Sequence, residues 1–303
     1  MTNNLKAMVL ASFAADSLAL GAHWIYDTGE IDGQIGRVDR LLKPPANTYH
    51  PTKDKGEFTH YGDQTLVLLE SIAESDGFLL DSFAARWQDF LKGYNGYLDH
   101  ATKETLEGFG SGKTPEKSGS TSTDLGGAAR IAPLVYRYSD DLETLVDSAK
   151  AQTAMTHNQP QVIRSAEFLS RVTWHVLQGT APTAAIEAVA EVGFKRGDFG
   201  ALVSNGLESA SRDTRQAILE FGQHCGTPAA LPSVIHLVVR YENDLQTALV
   251  ENVMAGGDSA ARGMVVGMIL GAFQGPAAIP APWLSDLKYL ASIESHLTQI
   301  DGS

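Results

Sequence analysis

The sequence predicts an all-α protein, a single-domain orthogonal multi-helix bundle spanning residues 1–303. Three observations lead there. Apolar residues recur at the three-and-four spacing of a helix in roughly ten segments. A strand-like run, Ser233–Tyr241, has no partner strand nearby, and Pro232 suits a first helical turn. No linker divides the chain, which is long enough to bury a large core.

The elements follow in order. Leu5 to Trp24 forms an apolar helix with Asp16, Leu20 and His23 on one face. Asp27 to His60 is rich in Gly, Pro, Asp and Lys, which predicts a long irregular loop of the kind that covers sites. Leu66, Leu69, Ile72 and Ala73 restore helical spacing, so Asp63 falls at a helix start, as an N-cap or as a working carboxylate. Ser82 to Tyr97 is amphipathic, with Phe83, Trp87, Phe90 and Leu91 facing inward. Thr105 to Ser122 reads as a low-complexity loop. Its Gly110-Ser-Gly-Lys-Thr114 is no phosphate loop, because Glu107 stands where the motif needs glycine and Pro115 follows in place of a helix.

In Ser122 to Arg130 the small residues, Gly126 and Gly127 included, let a ligand reach the backbone, and amides before a helix suit an anion. Arg130 either pairs with a phosphate or is a buried structural charge. Leu142 to Met155 and Pro160 to Gly179 are helices joined through His157, which points into a cleft or bridges the two. Ala184 to Phe194 and Arg212 to His224 are helical too. Gly256-Gly257 bends the chain and delivers Asp258 to a helix start. Behind it Gly263, Gly267, Gly271 and Gly275 recur every fourth residue, a stripe where another helix approaches closely.

Composition excludes some functions. A net charge of -13 argues against a nucleic-acid partner. The apolar run after Asp258 is shorter than the about 20 residues a bilayer needs, so no membrane partner is expected. Cys225 is the only cysteine, and Asp16 interrupts the amino-terminal apolar run, which reads as a folded helix and not a signal peptide. A cytoplasmic protein is expected. No signal speaks to oligomeric state.

Ala15-Asp16-Ser17-Leu18, Tyr61-Gly62-Asp63-Gln64-Thr65, Asp124 through Arg130, Thr156-His157 and Gly256-Gly257-Asp258 together resemble the ADP-ribosylglycohydrolase family, which includes dinitrogenase-reductase-activating glycohydrolase, the ADP-ribosylhydrolases and jellyfish J1 crystallin. The resemblance implies an all-helical domain with two divalent ions, magnesium or manganese, at the bottom of a cleft that takes ADP-ribose. It also implies hydrolysis of the bond between the ribose and an arginine, serine or other acceptor.

The departures are specific. Gly62-Asp63-Gln64-Thr65 replaces Thr-Asp-Asp-Thr, and Gly256 to Ala261 replaces Gly-Gly-Asp-Thr-Asp-Thr, so two of four metal-binding carboxylates are absent. His23 and Leu125 fall where the family has an acidic residue and an asparagine. The resemblance therefore implies one Mg2+ or Mn2+ at most, held by Asp63, Gln64, Asp258 and Ser259. Asp63, Asp258, Asp16 and His23 are the expected catalytic residues, with Asp124, Gly126, Gly127, Arg130 and His157 around the substrate. Arg262 or His60 is the alternative that neutralises the carboxylates without an ion. The expected activity is hydrolysis of an N- or O-glycosidic ribosyl bond in ADP-ribosylated protein or a related nucleotide. The alternative is a catalytically impaired ADP-ribose-binding or crystallin-like structural protein.

Overall fold

The computed structural model describes residues 2–302. In chain order its helices are α1 (Thr2–Leu20), α2 (Thr28–Glu30), α3 (His60–Ser75), α4 (Leu80–Lys92), α5 (His100–Gly110), α6 (Gly126–Ala129), α7 (Ala132–Arg137), α8 (Leu142–Thr156) and α9 (Pro160–Leu177). They continue with α10 (Pro182–Val189), α11 (Gly197–Glu208), α12 (Thr214–Phe221), α13 (Thr227–Arg240), α14 (Leu245–Met254), α15 (Ser259–Gln274), α16 (Ala281–Asp286) and α17 (Leu290–Asp301). Among the described residues no strand forms, only two isolated bridges, Ser120 with His157 and Asp124 with Gly226. No described helix is long and apolar enough to cross a membrane.

The core is built on α1 and α15. Every residue of α15 from Ser259 to Ala272 is buried, as a helix apolar on all faces must be. The glycine stripe does what its spacing predicts. Cβ atoms built on Gly263, Gly267 and Gly271 would meet Ala15, Ala11 and Ala7 in turn, so the two helices run antiparallel with glycine laid against alanine. At the far end Asn4 Nδ2 donates to the carbonyl of Ala272 at 2.9 Å, covering an acceptor that the end of α15 leaves free.

Several expectations change. The predicted loop from Thr105 begins as α5, whose cap is Asp99 accepting from the Thr102 amide at 2.7 Å; Ala101, Thr102, Thr105 and Gly108 pack inward, which the polar composition hides. Pro232 lies inside α13, which starts five residues earlier with Pro228 in its first turn. The loop after Asp27 opens with α2 and a π-helical turn, Ile31–Ile35, and is irregular from Gly36 to Thr59. α4 stops at Gly93, short of Tyr97. Four further helices, α11, α14, α16 and α17, add to those expected and pack against the rest.

The glycine stripe is directly testable. A Cβ on Gly267 would lie 2.5 Å from the Ala11 carbonyl oxygen and 2.8 Å from its carbon, backbone atoms that cannot rotate away. Gly267→Ala should therefore lower stability by roughly 3 kcal/mol. Gly33→Ala, where nothing lies within 4 Å, should stay within about 0.5 kcal/mol of the parent in urea unfolding.

Candidate active site

Because α1 and α15 are antiparallel, the end of α1 meets the start of α15. The Trp24 amide donates to the Gly257 carbonyl at 2.9 Å, and the Gly257 amide donates to the Ile25 carbonyl at 2.8 Å. Gly256 and Gly257 hold φ of 71° and 68°, the left-handed bend expected of them. Asp258 is the N-cap: its Oδ1 accepts from the Ala261 amide at 3.3 Å. Its Oδ2 accepts from the Trp24 indole at 3.1 Å.

Asp124 arrives from a segment with no helical or strand period. Leu125 donates to the Cys225 carbonyl at 2.9 Å and Thr227 to the Thr123 carbonyl at 2.8 Å, which ties this segment to the start of α13. Asp124 Oδ1 accepts from the Gly126 amide at 2.7 Å. The Tyr61 hydroxyl then joins the two acids, 2.7 Å from Asp124 Oδ2 and 2.8 Å from Asp258 Oδ2. A phenol carries one proton, so it satisfies one carboxylate; the second contact needs a proton on an acid, or a cation. Burial, followed by the charge of Asp258, pushes the Asp124 carboxyl up to about 7. Burial also raises the thiol of Cys225, which stands with Asp124 and Asp258 so that one ligand atom from each lies within 4.8 Å of the others.

Comparison with known proteins settles the relationship. The model of the ADP-ribosylglycohydrolase family matches residues 1–301. The chain belongs to that family. It is 25% identical to Crystallin J1A of Tripedalia cystophora over 92% of this chain and 90% of the crystallin. It is 28% identical to ADP-ribosyl-(dinitrogen reductase) glycohydrolase of Rhodospirillum rubrum, over 54% of this chain and 50% of that enzyme. A solved structure titled ADP-ribosylglycohydrolase-related protein complex has the same fold, with a TM-score of 0.71 at 20% identity, covering 99% of this chain and 98% of the other. As a family member the protein is a hydrolase acting on glycosidic bonds.

The ion expected in this family meets a changed set of residues. Asp63 Oδ2 is in an ion pair with the buried ammonium of Lys53 and accepts from the Tyr94 hydroxyl at 2.6 Å. Burial raises its carboxyl, while Lys53 and Tyr94 act against the rise. Gln64 Oε1 accepts from both the Trp87 indole and Arg130 Nη1 at 2.8 Å, which uses both lone pairs. Ser259 Oγ is buried without a partner. The expected set of Asp63, Gln64, Asp258 and Ser259 therefore does not fit a divalent ion: a lysine already neutralises the first, and two donors occupy the second. Asp124 with Asp258 does fit, since two converging carboxylates lack a cation and magnesium commonly takes one or two carboxylates plus waters.

The remaining expected residues also take defined places. Asp16 is fully buried, accepting from the Thr59 amide at 2.7 Å and its hydroxyl at 2.6 Å, so it positions the N-cap of α3 and does no chemistry itself. His23 has no hydrogen-bond partner on either ring nitrogen, and burial holds it well below the usual histidine range, so it is no proton carrier for these carboxylates. The space over Gly126 and Gly127 is filled by the rings of Tyr61 and His157, not left for a ligand. Arg130 is spent on Gln64, Gln152 and Thr156, the buried structural charge and not the phosphate partner. His157 Nδ1 pairs with Thr156 Oγ1 at 2.9 Å, and a ring nitrogen of His157 lies within 4.8 Å of both Asp99 and Asp124. Arg262 binds Asn252, Gly256 and Gln223 and makes no hydrogen bond to Asp258. His60 faces Asp99 at 3.5 Å.

Lys53, Tyr94, Asp99 and Cys225 are the functional-site residues that sequence reasoning misses, and Tyr61 is quoted there only as part of a motif. Asp99 alone left a signal, as an N-cap type before a helix. Two measurements follow. Lys53→Met should cost about 3 kcal/mol in urea unfolding by leaving a buried carboxylate unpaired, and Asp63→Asn in the same chain should recover most of it. Asp16 titrates at about 6 when folded against 3.8 unfolded, so folding takes up a proton between those values. Its contribution to stability falls as pH rises from 3.8 to 6, a loss of about 3 kcal/mol that is complete above 6. The stability difference between the parent and Asp16→Asn should change over that window and be flat on either side.

Proposed function

We propose that the protein hydrolyses an N- or O-glycosidic bond of ADP-ribose in an ADP-ribosylated protein or a related nucleotide, and that Asp124 and Asp258 carry the chemistry. The observation behind this reading is the single Tyr61 hydroxyl placed between two buried carboxylates. One Mg2+ or Mn2+ held by Asp124 and Asp258 would orient the ribose diol and make a bound water more acidic.

The chain's own residues do the rest. Tyr61 fixes the spacing of the two acids, and the Trp24 indole fixes the rotamer of Asp258. His157 stands beside Asp124 and Asp99, where burial and then the charge of Arg130 push it down to about 3, so it faces the acids as a neutral imidazole. A cavity of about 430 Å³, lined in part by Trp24, Tyr26 and Tyr49, gives a nucleotide flat surfaces to stack on. A single cysteine allows no internal disulfide, which supports a cytoplasmic protein in this reading.

A second reading, a binding or structural protein of the crystallin kind, has its own support. Crystallin J1A aligns along nearly the whole chain, whereas the glycohydrolase from Rhodospirillum rubrum aligns over about half. Lys53 also sits on a carboxylate that the family resemblance assigns to an ion.

Turnover of ADP-ribosyl-arginine and ADP-ribosyl-serine separates the two. Asp124→Asn and Asp258→Asn should each lower kcat by roughly 100-fold or more. Calorimetric titration with magnesium and manganese should show one ion per chain, lost in both variants. ADP-ribose binding with no turnover of either substrate and no ion bound would leave the second reading standing.

A further inference from the structure

Three histidines from separate parts of the chain meet in the core. His23 follows α1, His50 lies in the irregular segment and His60 opens α3; all three are buried, and a ring nitrogen of each lies within 4.8 Å of the others. Neither ring nitrogen of His23 or His50 has a hydrogen-bond partner, and His60 has only the 3.5 Å approach of its Nε2 to Asp99 Oδ2. A buried polar group left without a partner keeps the full cost of its lost hydration. A cluster of them calls for an explanation that filling the core does not give.

We propose that His23, His50 and His60 form a binding site for one Zn2+-class transition-metal ion, separate from the Asp124 and Asp258 pair. Neutral imidazole is the ligand this class of ion favours, whereas magnesium prefers oxygen. Burial lowers His23 and His50, which favours the neutral imidazole a metal ligand needs, while Asp99 raises His60 against the effect of its burial. Asp99 faces one nitrogen of His60 and leaves the other for the ion, the carboxylate-to-imidazole support that orients metal-binding histidines.

Aromatic packing surrounds all three rings. His23 stacks on Trp24 with centroids 4.4 Å apart, and His60 lies 3.9 Å from the ring of Tyr61. Zinc to nitrogen distances of about 2.0–2.1 Å need three nitrogens that converge on one point, as nitrogens within 4.8 Å of one another can. His50 stacks on His23 and His60 with centroids 5.4 and 5.8 Å apart, and its backbone of no regular structure is the part free to adjust as an ion is bound. His23 also borders the cavity of about 430 Å³, which gives an ion a path in and leaves its fourth position open.

The test is titration of the full chain with Zn2+, and with Co2+ as a spectroscopic substitute, in excess Mg2+. The expected result is one ion per chain, a raised Tm, and the intense visible bands of four-coordinate cobalt without a thiolate charge-transfer band. His50→Gln, checked by circular dichroism to be folded without metal, should weaken binding at least about tenfold, and Asp99→Asn by about 10- to 100-fold. Cys225→Ser, Asp124→Asn and Asp258→Asn should leave it unchanged, which keeps this site distinct from the carboxylate pair. No saturable binding, equal binding by His50→Gln, or loss of binding in Cys225→Ser overturns the proposal.

Discussion

The close approach of α1 and α15 is the constraint on which the site depends. Gly263, Gly267 and Gly271 lie against Ala15, Ala11 and Ala7, and this register permits only an antiparallel pair at short separation. With residues 7–20 of α1 and 259–272 of α15 buried, neither helix can slide or rotate without driving a Cβ into backbone. The ends are consequently fixed. At one of them Trp24 donates to the Gly257 carbonyl and Gly257 donates to the Ile25 carbonyl, and Asp258 is held where its carboxylate meets an indole and a phenol.

Buried charge is the second constraint, and the three buried cations meet it in different ways. Lys53 pairs directly with Asp63. Arg130 is surrounded by neutral acceptors, Gln64, Gln152 and Thr156, and burial pulls its guanidinium down to about 10. Arg262 holds the carbonyls of Asn252, Gly256 and Gln223, so it braces the glycine bend and acts on Asp258 through charge alone.

The sequence made the helical class and the central pair legible because both rest on local repeats: period 3.6 in the apolar residues and period four in the glycines. The bend at Gly256-Gly257 and the position of Asp258 were legible for the same reason. The partnerships of the site were not. Lys53 lies in an irregular segment, and its burial against Asp63 is set by where the backbone from Gly36 to Thr59 crosses α3 and α4. Asp124 reaches Asp258 through bonds to Cys225 and Gly226 about 100 residues away, which no local pattern encodes. Gly126 and Gly127 misled for a physical reason: a missing side chain admits a protein ring as readily as a ligand.

A carboxylate neutralised by lysine is poorly suited to bind a cation, so the pairing of Lys53 with Asp63 transfers the electrostatic demand elsewhere. It falls on Asp124 and Asp258, which have two hydrogen-bond contacts to a phenol that owns one proton. The deficit is one positive charge. A proton on Asp124 meets it, consistent with a carboxyl raised to about 7 by burial and by its neighbour, and a divalent ion meets it more fully. The same fold thus keeps a charge-hungry pair of acids at the end of its central helices while one of the carboxylates beside them has become part of the scaffold.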